Sequence, residues 1–599
     1  MSIHPDARRR RFAFTRRRLV LVIGIVGAVA GTLIFGLAAG GASVNPNLAR
    51  NSHAALNNGK LLPHVSGGSE VSFDEERQQA ADAQNGAGTA DLPPDVSASA
   101  LGCANRGSAT NPRVNQDCTL RRQAEEFVAV NPLHPENIAA GQNDSRLGFN
   151  HCGFDYSLNS GQTWGDGIPP FWQHLNPTTG HTYDAASDPA VTYNGNGVAW
   201  YSCVVFDINS PATAVFAVPS TAGLRGSAYS NIGSGPSRFV VAETADNQTF
   251  YDKEFIAGDP RSGHSDVYVT FSKFLSAPKC AIGNHNPGGY CSSEIMLSHW
   301  TSANGGSWST PISISGNAPF CVGGNTFNKQ AAPDACNFDQ GSYPVVDPAD
   351  GSVFVVWSNG NTPTLVNQTL GRRINTDGTM GPVVRVGSEV DTNDANCDLG
   401  RGPETCVKSL AVRTNEFPAL AVDPTNHNHL VSVWQDSRNS PAGAGLYDVV
   451  VSESTDGGAT WTDRSTNPST SSATVLQGGA GEAYFEPAVA ITQTGKTAVS
   501  FYRANPYAGT DGMGTYGYGM RSRAAGGSFG SYTAVSDRQD YPSPQANPTQ
   551  AGFLGDYSNI AASSAAGSNN VFPIWSDTRN ASASLGPDED IFIKSVVLP

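Results

Sequence analysis

The residues best suited to chemistry are carboxylates and arginines that recur at fixed places in a repeated strand pattern. Short apolar strands begin with an acidic residue at Glu126, Asp188, Glu254, Glu416, Glu486 and Asp556. The strand that follows ends close to an arginine at Arg146, Arg438, Arg503 and Arg579. Carboxyl groups can act as general acids and bases, and guanidinium groups bind carboxylates in bidentate geometry. These side chains form a candidate site if the fold brings them to one place.

Residues that depart from the repeat are the stronger candidates for catalysis, because function is most often added where a regular pattern breaks. Asp188 and Glu486 stand in the register that holds an aromatic residue in other copies, and Arg503 has no counterpart. We therefore predict Asp188, Glu486 and Tyr557 as catalytic residues. The arginines above, with Glu254 and Glu416, are predicted to bind substrate.

An alternative applies to two of the arginines. The pattern Trp-x-Asp-x-Arg-Asn occurs twice, at 434–439 and at 575–580. A motif that recurs from copy to copy favours an ion pair that braces a loop over membership of a single site. For Arg438 and Arg579 this interpretation is preferred.

The elements that must position these residues are hairpins repeated about every 70 residues, which is too long for the shortest propeller repeats. Seven copies begin near Phe127, Asp188, Phe255, Tyr343, Phe417, Glu486 and Tyr557. Second strands are visible at 353–357, 430–434 and 571–575. The repeat predicts an all-β fold, a six- or seven-bladed β-propeller with seven blades favoured, built of four-stranded antiparallel sheets. Because the chain ends soon after its last third strand, a segment just before Glu126 is expected to complete the ring.

The N-terminal region differs in composition from the rest. Residues 1–18 are rich in arginine, and 19–42 form an apolar run that we predict to be a signal or anchor helix, whether retained or cleaved. Residues 43–120 have the composition of a flexible, low-complexity stalk with a possible closing strand, and 121–599 form the propeller. The arginines would stay in the cytoplasm, so the propeller is expected to be extracytoplasmic, either membrane-anchored or secreted.

Charge and cysteine content support this placement. The chain of 599 residues has 52 acidic and 37 basic residues, a balance that disfavours nucleic-acid binding. All ten cysteines follow the apolar run. Eight of them form four couples that are close in sequence, and Cys152 and Cys203 remain. An even number of cysteines outside the cytoplasm predicts disulfides rather than a zinc site. The couples are Cys103/Cys118, Cys280/Cys291, Cys321/Cys336 and Cys397/Cys406.

A turn motif carries a resemblance to a known family. Ser454-x-Asp456-x-Gly458-x-Thr460-Trp461 resembles the Asp-box of the sialidase (neuraminidase) superfamily. Weaker copies lie in phase at 157–164, 302–308 and 522–529. The resemblance implies a propeller whose active site lies on the face opposite these turns. It also implies a tyrosine nucleophile activated by a glutamate, an aspartate acid/base and three arginines that hold a sugar carboxylate.

Carried onto this sequence, the resemblance makes Glu486 and Tyr557 a nucleophile pair. The early arginine motif of the family is missing, since Asn111-Pro112-Arg113-Val114 is the nearest string and does not match it. The leading hypothesis is an exported propeller that binds extracellular glycans or glycoproteins, with hydrolysis of a terminal acidic sugar as its enzymatic version. The alternative is a non-catalytic cell-surface module for protein or polysaccharide contact. No cofactor or metal is expected; a Ca²⁺-dependent enzyme rests on carboxylate number alone.

Overall fold

The structure is a computed structural model of the whole chain. It describes Ser66 and residues 107–599, apart from 120, 148–149, 222, 234–236, 282–285, 287, 303–304, 363–366, 392–393, 399–402, 463–473, 479–480, 506–513, 541–552 and 580–588. The predicted signal or anchor helix at 19–42 and most of the predicted stalk lie outside these residues. Within them, no helix is long and apolar enough to cross a bilayer.

The described chain is built from short strands, and its only helices are two single 3₁₀ turns, Phe171–Gln173 and Pro278–Cys280. The strands of the first three sheets are β1 (Gln123–Val130), β2 (Ile138–Asp144), β3 (His151–Ser157), β4 (Gly165–Gly167), β5 (Ala185–Tyr193), β6 (Ala199–Phe206), β7 (Thr213–Pro219), β8 (Val240–Thr244), β9 (Thr249–Gly258), β10 (Val267–Ser276), β11 (Tyr290–Thr301), β12 (Ser307–Trp308) and β13 (Ile312–Ser313).

The remaining strands are β14 (Asp339–Val346), β15 (Val353–Asn359), β16 (Gln368–Ile374), β17 (Val384–Ser388), β18 (Ala395–Asp398), β19 (Pro403–Val407), β20 (Val412–Arg413), β21 (Ala419–Asp423), β22 (Asn426–Asp436), β23 (Asp448–Ser454), β24 (Thr474–Gln477), β25 (Ala483–Ile491), β26 (Thr497–Asn505), β27 (Thr515–Arg523), β28 (Thr533–Ala534), β29 (Asn559–Ala562), β30 (Asn570–Asp577), β31 (Asp590–Ile593) and β32 (Val596–Val597).

These strands pair antiparallel in chain order into consecutive sheets that start at β1, β5, β9, β14, β21, β25 and β29. An inserted three-stranded sheet, β18 to β20, lies between the fourth and fifth of them in sequence. Each first strand contacts the first strands of the sheets before and after it, and β29 contacts β1. Sheets arranged in this way around a shared axis form a β-propeller. The predicted all-β propeller of antiparallel sheets is confirmed.

The edge of β31 is covered by a segment from before β1. The backbone N–H of Val114 donates to the carbonyl of Ile591 at 2.8 Å, and that of Ile593 donates to Pro112 at 3.3 Å. The last sheet therefore joins the two ends of the propeller by hydrogen bonds, which removes an exposed strand edge.

The core lies between neighbouring sheets. Trp434 on β22 is fully buried and packs in one cluster with Phe354 and Val356 of the preceding sheet. Trp575 on β30 is stacked on Tyr518 of the preceding sheet at 5.5 Å. Alternating apolar residues on the second strands thus supply the contacts that hold one sheet to the next.

Four disulfides lie within the described part of the chain: Cys152–Cys203, Cys280–Cys291, Cys321–Cys336 and Cys397–Cys406. Cys118 is also disulfide-bonded. The prediction that the cysteines form disulfides is confirmed, and the structure supplies the connectivity of these four pairs, which the sequence left open. They are typical of proteins that fold in an oxidising compartment.

Candidate functional site

Five first strands share a β-bulge close to the end at which they begin. Each bulge opens with a residue in the left-handed region, here called the first bulge position, and this residue is Glu125 (φ 57°), Asp188 (59°), Lys253 (53°), Gly341 (65°) or Glu486 (49°). Positive φ is uncommon for residues other than glycine and is held only where the surrounding structure enforces it. Four of the five residues are charged, so the fold repeatedly uses a strained position to place a charge.

The bulges correct the alignment predicted from sequence. Asp188 and Glu486 do not stand in the aromatic register of Phe127, because the residues that do are Ala190 and Ala488, each opposite a serine of the next strand. The sequence pattern aligned acidic residues with one another and could not reveal the extra residue that a bulge inserts. Asp188 and Glu486 therefore share the position of Glu125 rather than that of an aromatic ring.

Side chains from separate sheets meet around Lys253. Its Nζ lies 3.7 Å from Glu125 Oε1, 4.0 Å from Asp188 Oδ1 and 3.8 Å from Asp556 Oδ2. Arg413 of the inserted sheet donates from Nε to Asp556 Oδ1 at 3.0 Å. Residues of the first, second, third and last sheets can approach one another only near the propeller axis. We call Glu125, Asp188, Lys253, Arg413, Glu486 and Asp556 the channel layer.

The channel layer rests on aromatic rings. Lys253 Nζ lies 3.8 Å from the ring centroid of Tyr557 and 5.1 Å from that of Phe417. Ring centroids 4.9 to 6.0 Å apart link Phe255 to Tyr557 and Phe127 to Tyr343. We call Phe127, Phe255, Tyr343, Phe417 and Tyr557 the aromatic floor. It gives the Lys253 ammonium cation–π contacts in addition to its carboxylate neighbours.

Glu486 is the least satisfied member of the layer. Its side chain is buried, and neither carboxyl oxygen has a hydrogen-bond partner among the described residues. Burial raises the pKa of Glu486 well above its usual value, and the nearby charges of Glu126 and Asp556 raise it further. A carboxyl group in such surroundings holds its proton near neutral pH and can therefore donate it.

Other carboxyls near the layer are perturbed in the same direction. Burial raises the pKa of Glu126 to about 8, although Ser576 Oγ donates to it at 2.9 Å. The pKa of Glu125 is raised by burial and then by the charge of Asp188, against the opposing effect of Lys253. Perturbed carboxyls gathered in one place are typical of functional sites, although structural networks produce them too.

Tyr557 lies in the aromatic floor with its hydroxyl donating to the carbonyl of Pro189 at 3.2 Å. Burial raises the pKa of this phenol well above its usual value, and the charges of Glu125 and Asp188 raise it further. The environment thus disfavours the phenolate that a nucleophile would need. The structure places Tyr557 beside Asp188, but as a ring that packs against Lys253.

The predicted arginines are held by their own sheets. Three of them pair with the aspartate two residues earlier at 2.7 Å: Arg146 Nε with Asp144 Oδ2, Arg438 Nη2 with Asp436 Oδ2, and Arg579 Nη2 with Asp577 Oδ2. The same aspartate accepts from the arginine's backbone N–H in each case. Arg503 pairs with Glu482 at 2.5 Å. For Arg438 and Arg579 these are the loop-bracing ion pairs that the repeated motif favoured, and substrate binding by the four arginines stays a prediction.

The two predicted binding glutamates lie in different surroundings. Glu254 follows Lys253 in the bulge of β9 and is fully buried; burial raises its pKa, and the charge of Asp188 raises it further. Glu416 is buried on the approach to β21, where burial and then the charge of Asp394 raise its pKa. Glu254 thus lies next to the channel layer, whereas Glu416 faces the loop that precedes the inserted sheet.

One described group of side chains has the spacing of a metal site. Ligand atoms of Asp259, His264 and Asp266 lie within 4.8 Å of one another in the turn between β9 and β10. Arg261 already donates to Asp259 at 2.6 Å, so a guanidinium supplies the positive charge there. This turn lies at the end of β9, away from the bulge that carries Lys253.

The sequence analysis did not predict three members of the channel layer as site residues. They are Glu125, Lys253 and Arg413. Glu125 and Lys253 each lie in a run of adjacent charged residues inside a buried strand, Glu125-Glu126 and Asp252-Lys253-Glu254. Two adjacent charges in a buried strand are incompatible with simple alternation, and this is the signal that would have revealed the bulge. Arg413 carries no comparable signal, because it reaches the layer from an insertion.

No protein-family profile and no curated protein matches this chain. Solved structures with a similar arrangement include Hadza microbial sialidase Hz136, at 12% identity and a TM-score of 0.37 over 78% of this chain and 75% of that one. The α-L-arabinofuranosidase Arb93A from Fusarium graminearum has 12% identity and a TM-score of 0.37, with 68% and 92% coverage. Trypanosoma rangeli sialidase with the inhibitor DANA has 11% identity and a TM-score of 0.32, with 80% and 55% coverage. The propeller assignment therefore rests on the sheets and contacts described above.

Proposed function

We propose that this protein is an exported, glycan-acting β-propeller of seven blades whose site is the channel layer. The observation that carries the proposal is the meeting of charged bulge residues from separate sheets around Lys253, with Glu486 buried and unpartnered beside them. The disulfides and the apolar run at 19–42 support export. The contacts between consecutive first strands, closed by β29 on β1, support seven blades.

The enzymatic version of the proposal is glycoside hydrolysis by two carboxyl groups. Protonated Glu486 would donate its proton to the glycosidic oxygen as the bond to the anomeric carbon breaks. Asp188 would act on the opposite face of the sugar, as a base that takes a proton from water or as a nucleophile. Lys253, in contact with three carboxyl groups, would stay paired with Asp188 during this step. The solved sialidase and arabinofuranosidase named above fit this class of activity.

The site is closed in this structure. The side chains of Glu125, Asp188, Lys253 and Glu486 are each almost completely buried. Ser66, from the predicted stalk, is buried with them and donates from Oγ to Asp252 Oδ1 at 2.9 Å, one residue before Lys253. The proposal therefore requires the mouth of the channel to open before a glycan can reach Glu486.

Hydrolysis of a panel of fluorogenic glycosides by the purified protein tests the proposal. Glu486→Gln removes the acid without changing shape, and Asp188→Asn removes the second carboxylate, so each is expected to lower kcat by at least about 100-fold. Glu136→Gln, an exposed carboxyl in the turn between β1 and β2, is the matched control and keeps the wild-type rate. Full activity in Glu486→Gln would contradict the assignment of the acid.

A second candidate function is a non-catalytic propeller that binds protein or polysaccharide at the cell surface. The internal pairing of Arg146, Arg438 and Arg579 and the burial of the channel layer favour it. It predicts that the protein retains glycans in a binding assay but hydrolyses none of them, with Glu486→Gln and Asp188→Asn unchanged in binding. The same panel, read for retention and for turnover, separates the two candidates.

A further inference from the structure

The charge balance of the channel limits which sugars it can accept. The two cations of the channel layer are Lys253 and Arg413, and carboxyl groups from several sheets surround them. Both cations already face carboxylates, Lys253 at 3.7 to 4.0 Å and Arg413 at 3.0 Å. A further carboxylate brought to this place would be buried without a cation of its own, which is unfavourable.

The three arginines that follow second strands, Arg146, Arg438 and Arg579, do not supply such a cation. Asp144, Asp436 and Asp577 each hold the guanidinium of their own sheet, and each of these aspartates is itself buried. Releasing an arginine to bind a sugar carboxylate would leave a buried aspartate without its counterion, which is strongly unfavourable. A sugar carboxylate therefore cannot bind one of these three arginines without that cost.

An uncharged sugar meets a different environment. Its hydroxyl groups can donate hydrogen bonds to the carboxylates of the layer and accept from the Lys253 ammonium. The two oxygens of Glu486 are buried and have no partner among the described residues, so they have unused capacity to accept and, when protonated, to donate. An unpartnered polar group at this depth is a large penalty unless a ligand or water satisfies it.

We infer that the channel layer takes an uncharged sugar residue and rejects one that carries a carboxylate. The inference rests on the proposed function and narrows its substrate class. It departs from the acidic sugar that the sialidase resemblance implies. The grounds for the departure are that Lys253 and Arg413 already face carboxylates and that Glu486 is buried without a hydrogen-bond partner among the described residues.

Calorimetric titration of the full-length purified protein with matched oligosaccharides tests the inference. The members of each pair have the same sugar sequence and differ by one carboxylate in place of one CH2OH group, as cellobiose against cellobiouronate, or lactose against lactose oxidised to a carboxylate at C6 of its galactose. The uncharged member is expected to bind at least about tenfold more tightly in each pair. Its affinity should be the same at low and high ionic strength, since no net charge is involved.

Asp556→Asn provides the second measurement. It removes a carboxylate from both Lys253 and Arg413, so the preference for the uncharged member should shrink by at least about threefold. Glu136→Gln, exposed and far from the layer, should leave the preference unchanged. If Asp556→Asn does not fold, the comparison of the paired oligosaccharides with the wild-type protein still decides the matter.

The outcomes separate the inference from the proposed function. Tighter binding of the anionic member by the wild-type protein would overturn the inference and leave a glycan-acting propeller in place. Failure of both members of every pair to bind would overturn the proposed function, and the inference with it.

Discussion

At the scale of single residues, this propeller depends on charges that burial and neighbours hold in one protonation state. His429 on β22 is the clearest case outside the channel. Its Nδ1 lies 3.0 Å from Asp423 Oδ2 and its Nε2 3.0 Å from Glu453 Oε2, so both ring nitrogens face a carboxylate. The hydrogen bonds to Asp423 and then Glu453 raise the pKa of His429 to about 9, against the opposing effect of burial.

This shift predicts a pH-dependent contribution to stability. The folded-state pKa lies above the unfolded value, so the stabilisation is fully present below about pH 6.5 and is lost as the pH rises to about 9. The difference in unfolding free energy between wild type and His429→Gln should therefore shrink across that interval in urea titrations. His427→Gln, a more exposed histidine on the same strand, is the control. A difference that does not vary with pH would contradict the prediction.

At the scale of the element, two kinds of turn are stabilised by hydrogen bonds within the turn. They are the Asp-x-Arg turns after the second strands and the turns after the third strands. In the turn at 454–461, Asp456 Oδ1 accepts from the Thr460 N–H at 2.8 Å, and Trp461 Nε1 donates to the Gly458 carbonyl at 3.1 Å. The turn at 157–164 repeats these bonds with Asn159, Thr163 and Trp164. Both turns lie at the end of the third strand, away from the bulges.

The Asp-x-Arg turns predict where an arginine matters for stability. Arg438→Met should lower the unfolding free energy by about 3 kcal/mol, because it leaves Asp436 buried without its partner. Arg503→Met should lower it by no more than about 1 kcal/mol, since Arg503 and Glu482 are partly exposed. Urea titration measures both. An Arg438→Met variant of unchanged stability that loses glycan binding would instead assign Arg438 to the site.

At the scale of the whole molecule, closure joins the last sheet to residues before β1. Val114→Pro removes the N–H that donates to Ile591, whereas Val114→Ala keeps it and removes only methyl groups. We expect Val114→Pro to be less stable than Val114→Ala by about 1 to 3 kcal/mol. Hydrogen exchange should rise in β31 and in β1 together, because the segment before β1 is hydrogen-bonded to β31. Unchanged exchange in β1 and β31 would show that these hydrogen bonds do not hold the ring closed.

Local features of the fold were predictable from the sequence. The strand repeat, the cysteine couples and the Ser454–Trp461 turn each depend on contacts within a hairpin or a short loop, so the order of residues contains them. The predicted preference for ion pairs at Arg438 and Arg579 has the same origin, because each arginine meets an aspartate two residues away.

Only the tertiary structure showed which residues form the channel layer. Whether Asp188 and Glu486 occupy a bulge depends on the register of the partner strand, which a single strand's sequence does not contain. Lys253 meets Glu125 and Asp556 because ring closure brings distant parts of the chain to one axis. Sequence alone therefore determined the hairpins and their turns. The charges that face one another were decided by the way the sheets are arranged around the axis, since that arrangement depends on contacts far apart in the chain.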